Sequence, residues 1–267
     1  MNLSRYKITI NPQGLTGAAA ATYSSKVREH LRWIERTKTG KILLNSIKFH
    51  GKEIVISPYT GGDCNALGGG VTVNGGIQGY VNYSPDTFSL HGACSATKSV
   101  SNRGLYWDEM LFHELVHAFR NVSGKWHQPT LSYGLHRYTD NEEFIALLLS
   151  NIYISDKSNK IKSGLRADHI GFEPLSRDFD DSFNFFSTST LTFGLIEKFC
   201  KDNPGLTRKI ANDLANIQFN PLAAYYTNKE KARKLSQGAT SRDVAGFLAH
   251  IQSFTNDIIS RMTPAAR

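Results

Sequence analysis

The chain has 267 residues, 40% of them hydrophobic and 20% charged, enough to bury one large core. No run approaches the roughly eighteen apolar residues of a membrane-spanning helix, so no membrane span is expected. The net charge of +8 is spread thinly. "KVREHLRWIERTKTGK" and "TNKEKARKLSQ" mix both signs, and no basic block is interleaved with aromatics, which argues against nucleic-acid binding and for a solvated basic surface.

The opening "MNLSRYKITINPQG" lacks an apolar core, so no cleavable signal peptide is expected. Residues 1–22 read as a polar segment. Val27, Leu31 and Ile34 then recur at helical spacing behind Ser24 and Ser25, two capping residues, with Gly40 predicted to end the helix. "KILLNSIKF" predicts a second short helix, and "EIVIS" (53–57) a strand closed by Pro58. The glycine-rich stretch that follows reads as a hairpin with two glycine loops, ending in "GYVNYSP", a candidate edge for pairing with an extended peptide. Its glycines form neither GxGxxG nor a P-loop, so no phosphate site is expected.

Three cysteines, Cys64, Cys94 and Cys200, show no metal-ligand spacing, and free thiols are the default. A Cys64–Cys94 disulfide across the glycine-rich segment is the alternative for a protein that reaches an oxidising compartment.

A helix from about Leu105 to just before Gly124 carries "LFHELVHAFR". Residues four apart on a helix share a stripe, so His113 and His117 point the same way and are placed to share one zinc ion. Glu114, about 100° round from His113, flanks that position and can deprotonate a water there. The pattern alone is a weak signal, and a third ligand decides its weight. The Gly and His of the metzincin extension are absent, Arg120 and Ser123 standing in their place. His127 and His136 lie in a polar, aromatic-rich connection. Glu142 and Glu143 open a strongly apolar helix, "EEFIALLLSNIYI", capped by Asp140 or Asn141. An acidic pair also complements a helix N-terminus, yet in so apolar a helix at least one carboxylate should point inward. Candidates for stabilising an oxyanion are Tyr133, His136, Arg137, Tyr138 and Tyr153, with Tyr138 and His136 preferred. Beyond Lys157 the chain is polar to about residue 190, then helical through "LTFGLIEKFC", "PGLTRKIANDLANI", "PLAAYYTNKEKARKL" and "RDVAGFLAHIQSFTNDIISRM".

The succession "YSSKVREHLRWIERTKTGKILLNSIKFHGKEIVISP", "GYVNYSP", "DEMLFHELVHAFR" and "EEFIALLLSNIY" resembles the NleD-like bacterial effector metallopeptidases, over roughly residues 23–156. The HExxH with a downstream glutamate is shared with gluzincins, whose ligand glutamate precedes a small residue by three positions, as Glu143 precedes Ala146. The resemblance implies an α+β, zincin-like fold, mostly helical with a small antiparallel or mixed sheet. It implies Zn²⁺ held by His113, His117 and Glu143, Glu114 as base, and Glu142 orienting a ligand histidine. It also implies a zinc endopeptidase made in a bacterial cytoplasm and secreted or injected to cut a host or rival-cell protein. A catalytically inactive protein-binding module on the same fold is the alternative. The catalytic core is expected over 23–160, with a helical part, 161–267, packed on it.

Overall fold

The structure, a computed structural model, describes residues 2–61, 65–89, 92–94, 106–126, 140–157, 164–166, 175 and 181–237. A 3-10 turn (Leu3–Tyr6) leads into β1 (Ile8–Ile10), α1 (Gly17–Arg36), α2 (Lys38–His50) and β2 (Ile54–Ser57). The hairpin of β3 (Leu67–Val73) and β4 (Gly76–Asn82) follows, then α3 (Trp107–Val122) and α4 (Asn141–Asp156). Beyond them come α5 (Asn184–Ser187), α6 (Thr190–Asp202) and α7 (Pro204–Asp213), with another helical stretch over 221–237. The class is α+β, mostly helical around one small mixed sheet. Among the described residues no helix is long and apolar enough to cross a membrane.

The first two helices divide differently from the sequence reading. Helix α1 starts at Gly17, ahead of both serines, and the break falls at Thr37, not Gly40. Thr37 adopts an extended conformation and its side chain accepts the Gly40 N–H at 2.9 Å, which makes it the N-cap of α2. Gly40 sits inside that first turn because a side chain there would run into the Ile34 carbonyl. Residues 8–10, read as part of a polar segment, form a strand that pairs in parallel with β2, Ile8 opposite Ile54.

The strand order is β1-β2-β4-β3. Strands β1, β2 and β4 are parallel, and β3 runs antiparallel to β4 at the end of the order. The strand bearing "GYVNYSP" is therefore interior, and β1 and β3 are the edges. Asn74 (φ 49°) and Gly75 (φ 76°) make the two-residue turn, the pairing of positive φ values that a tight hairpin requires. Gly68, Gly69 and Gly70 lie within β3, not in a loop. A side chain at Gly68 would strike the backbone carbonyl of Glu114, and one at Gly70 would come within 2.7 Å of Asn121 Cβ. The glycines thus let helix α3 lie directly against the sheet, and Ile54, Ile56 and Val81 close the space between them with no exposed area.

Cys94 is buried and disulfide-bonded, contrary to the free-thiol default, while Cys200 is a buried free thiol. Cys64 lies outside the described residues, as do 242–262, where the last helix is expected.

Because the close approach at Gly68 is backbone to backbone, Gly68→Ala is expected to lower stability by about 1–3 kcal/mol. Gly194, inside α6 with open space around it, is the control: Gly194→Ala is expected to add about 0.5–1 kcal/mol. Urea unfolding of both variants reads the difference.

Candidate metal centre

Helices α3 and α4 run antiparallel. Arg120 near the end of α3 meets Glu142 at the start of α4, His113 meets Ser150 midway, and Asp108 meets Tyr153 and Lys157 at the far end. Nearly every position of both helices is buried, so each carries its polar residues into the core. Asp140 caps α4, its carboxylate accepting the N–H groups of Glu142 (2.8 Å) and Glu143 (2.9 Å).

Three side chains converge at the middle of this pair. His113 Nε2 lies 3.2 Å from Glu143 Oε2, His117 Nε2 lies 3.4 Å from Glu143 Oε1, and the two Nε2 atoms are 3.1 Å apart. Four ligands at 2.0–2.1 Å around a tetrahedral ion stand about 3.3 Å from one another. The three observed separations bracket that edge length, so the donor set fits one small divalent cation. Both histidines are buried, and Glu143 keeps 18% of its side chain exposed. The His113 ring is further held by Ser150 Oγ, 3.3 Å from Nδ1, a contact that orients a ligand imidazole from behind.

The charges agree with this geometry. Burial pushes the Glu143 carboxyl up, but hydrogen bonds from His113 and His117 outweigh it and hold the group far below the usual carboxylate range. Burial likewise works against a charged His117, yet the hydrogen bond and charge of Glu143 raise it to about 9. In the metal-free site, then, a proton on the imidazoles answers the buried carboxylate. A divalent cation would take over that role.

Glu114 is buried beside the triad. Burial, reinforced by the nearby Glu143 charge, pushes its carboxyl up to about 7, while His117, the backbone N–H of Gly68 and Arg166 pull the other way. A carboxyl poised near neutrality suits proton transfer. Glycine strand β3 therefore both packs on α3 and donates to its central acid.

Several expectations take another form. Glu142, expected to orient a ligand histidine, is gripped by Arg120 through Nε and Nη2, both at 2.8 Å, and its charge reaches His117. Tyr153 donates its hydroxyl to Asp108 at 2.6 Å and stacks on Phe112, at the opposite end of the helix pair. His127, Tyr133, His136, Arg137 and Tyr138 lie outside the described residues. Arg166 escaped the sequence reading altogether. Its backbone N–H and carbonyl are held by the side chain of Asn151 at 2.9 and 2.8 Å, and its charge reaches Glu114. Nothing in its neighbourhood in the chain marks it, because only the packing of α4 brings it to the site.

A family model described as Peptidase_M91, effector protein, matches residues 11–171 of the chain. No curated protein matches, and no solved structure does.

Because imidazoles must lose their protons to bind a metal, and His117 holds one up to about pH 9, protons compete with the cation below that pH. Affinity for Zn²⁺ is expected to rise with pH by roughly tenfold per unit between pH 6 and 8, the slope of one displaced proton. Competition with a chromophoric chelator measures it. A pH-independent affinity would mean that the cation binds elsewhere.

Proposed function

The chain belongs to the Peptidase_M91 family of effector proteins, and on that premise we propose that it is a zinc-dependent endopeptidase that cleaves a particular protein in a host or rival cell. The observation that carries the reading is the spacing of His113, His117 and Glu143, which matches the edges of a tetrahedral zinc site. In this reading residues 23–160 form a zincin-like catalytic core, and the 161–267 part packs on it.

His113, His117 and Glu143 would hold the zinc, which when bound supplies a Lewis acid that acidifies a water and polarises a peptide carbonyl. Glu114 accepts the proton of the attacking water and returns it to the leaving amine. Its burial makes the carboxylate a stronger base than an exposed one, and the Gly68 N–H fixes its orientation. Arg166, whose backbone is held by Asn151 and whose charge reaches Glu114, would in this reading offset negative charge that develops on the carbonyl oxygen. Among the described residues no strand pairs with the outer edge of β3. An extended substrate added there would run past Gly68 and Glu114, with main-chain hydrogen bonds holding it irrespective of sequence.

Glu114→Gln is expected to lower peptidase activity by on the order of 10²–10⁴-fold with bound zinc unchanged, whereas His113→Ala and Glu143→Ala are expected to lose the metal itself. The assay is mass spectrometry of new protein termini in host and bacterial lysates, alongside elemental analysis of each variant. A full set of zinc-loaded protein without Glu114-dependent termini would favour the inactive binding module.

A further inference from the structure

Glu143 occupies the first turn of α4, where a helix has the fewest internal hydrogen bonds and opens most readily. The Asp140 cap closes the backbone of that turn, and aiming the turn at α3 calls for a contact between the two helices. The contact that does so is one residue away from the ligand on one helix and three residues from His117 on the other. Arg120 Nε donates to Glu142 Oε2 and Nη2 donates to Oε1, each at 2.8 Å, a two-point grip that fixes orientation as well as distance. His117 and Arg120, three apart on α3, lie along one stripe of the helix. Phe199 of α6 covers the guanidinium, 5.6 Å from its ring centre.

Resting on the metal-site reading above, we propose that the Arg120–Glu142 pair is a positioning device: it sets the register of the first turn of α4 on α3 so that Glu143 meets the two imidazoles. Both side chains are almost wholly buried, 2% and 0% exposed. The desolvation of two such charges cancels most of their attraction, and an apolar pair of similar volume would stabilise the fold as well or better. What an apolar pair lacks is direction. Coordination tolerates only about 0.2 Å in ligand distance, whereas two hydrocarbon side chains slide by more than that without loss. The far end of the helix pair has its own anchor in Lys157, bonded to Asp108 and Glu109 at 2.8 Å each. The triad lies between two such anchors, and the nearer one governs the ligand glutamate.

The test compares the parent chain with Arg120→Met, Glu142→Leu, the double variant and Arg120→Lys. Metal-free Tm, zinc affinity by chelator competition and the visible spectrum of the cobalt-loaded protein are read for each. The single variants are expected to lose both stability and affinity, since each strands a buried charge or leaves its partner unmatched. The double variant is expected to regain the parent's Tm yet bind zinc about 10–100-fold more weakly, with a shifted cobalt spectrum. Arg120→Lys, which keeps the charge but not the fork, is expected to show the same loss of affinity at near-parental Tm. Parental zinc affinity and cobalt spectrum in either the folded double variant or Arg120→Lys would overturn the proposal and leave the pair a plain structural contact. A parent chain that takes up no zinc at all would remove the metal site and this inference with it, a result distinct from unchanged affinity among the variants.

Discussion

The antiparallel contact of α3 with α4 is the constraint on which the other features rest. It buries Asp108, Glu109, His113, Glu114, His117, Arg120, Glu142 and Lys157 in a space otherwise filled by leucine, isoleucine and phenylalanine. Charges so placed are destabilising unless each is answered. Lys157 answers Asp108 and Glu109, Arg120 answers Glu142, and the two imidazoles answer Glu143. The three groups lie in sequence along one interface. Only the central one brings three metal-ligating side chains together, which is what makes it the candidate metal site.

The sheet contributes by proximity. Helices normally stand off a sheet by the depth of the side chains between them, and here Gly68 and Gly70 of β3, on the face toward α3, remove that depth. As a result a main-chain N–H of the strand reaches the carboxyl of Glu114. The same strand is one of the two edges of the sheet, so Glu114 and an edge backbone are neighbours. Proton transfer and peptide alignment would then draw on one structural element.

The helices after α4 close the structure from the other side. Phe199 lies over Arg120, the Phe219 N–H donates to Ser155 at the end of α4, and Lys38 reaches the Asp213 carbonyl. The first two contacts join the segment beyond residue 181 to the helices that bear the triad, and the third joins it to α2. The match to the effector-peptidase family ends at residue 171, so this covering layer is the part of the described fold that owes least to family membership. Its packing on Arg120 shows how it bears on the site: Phe199 covers the guanidinium that grips Glu142.

What was legible in the sequence depended on local rules. Four-residue spacing put His113 and His117 on one stripe, a cap at Asp140 or Asn141 and the apolar run defined α4, and the glycine-rich stretch marked a hairpin. Each follows from backbone geometry within a few residues. The sequence by itself also determined that an acidic residue of α4 must turn inward, since so apolar a helix has little exposed surface to offer. Which acid does what was a tertiary decision. Glu142 and Glu143 are adjacent and chemically alike, and only the angle at which α4 crosses α3 sends one to Arg120 and the other to the imidazoles. The same holds for Arg166, for the glycines of β3 and for the strand order, because each depends on which surfaces meet across tens of residues, and no periodicity within an element encodes that.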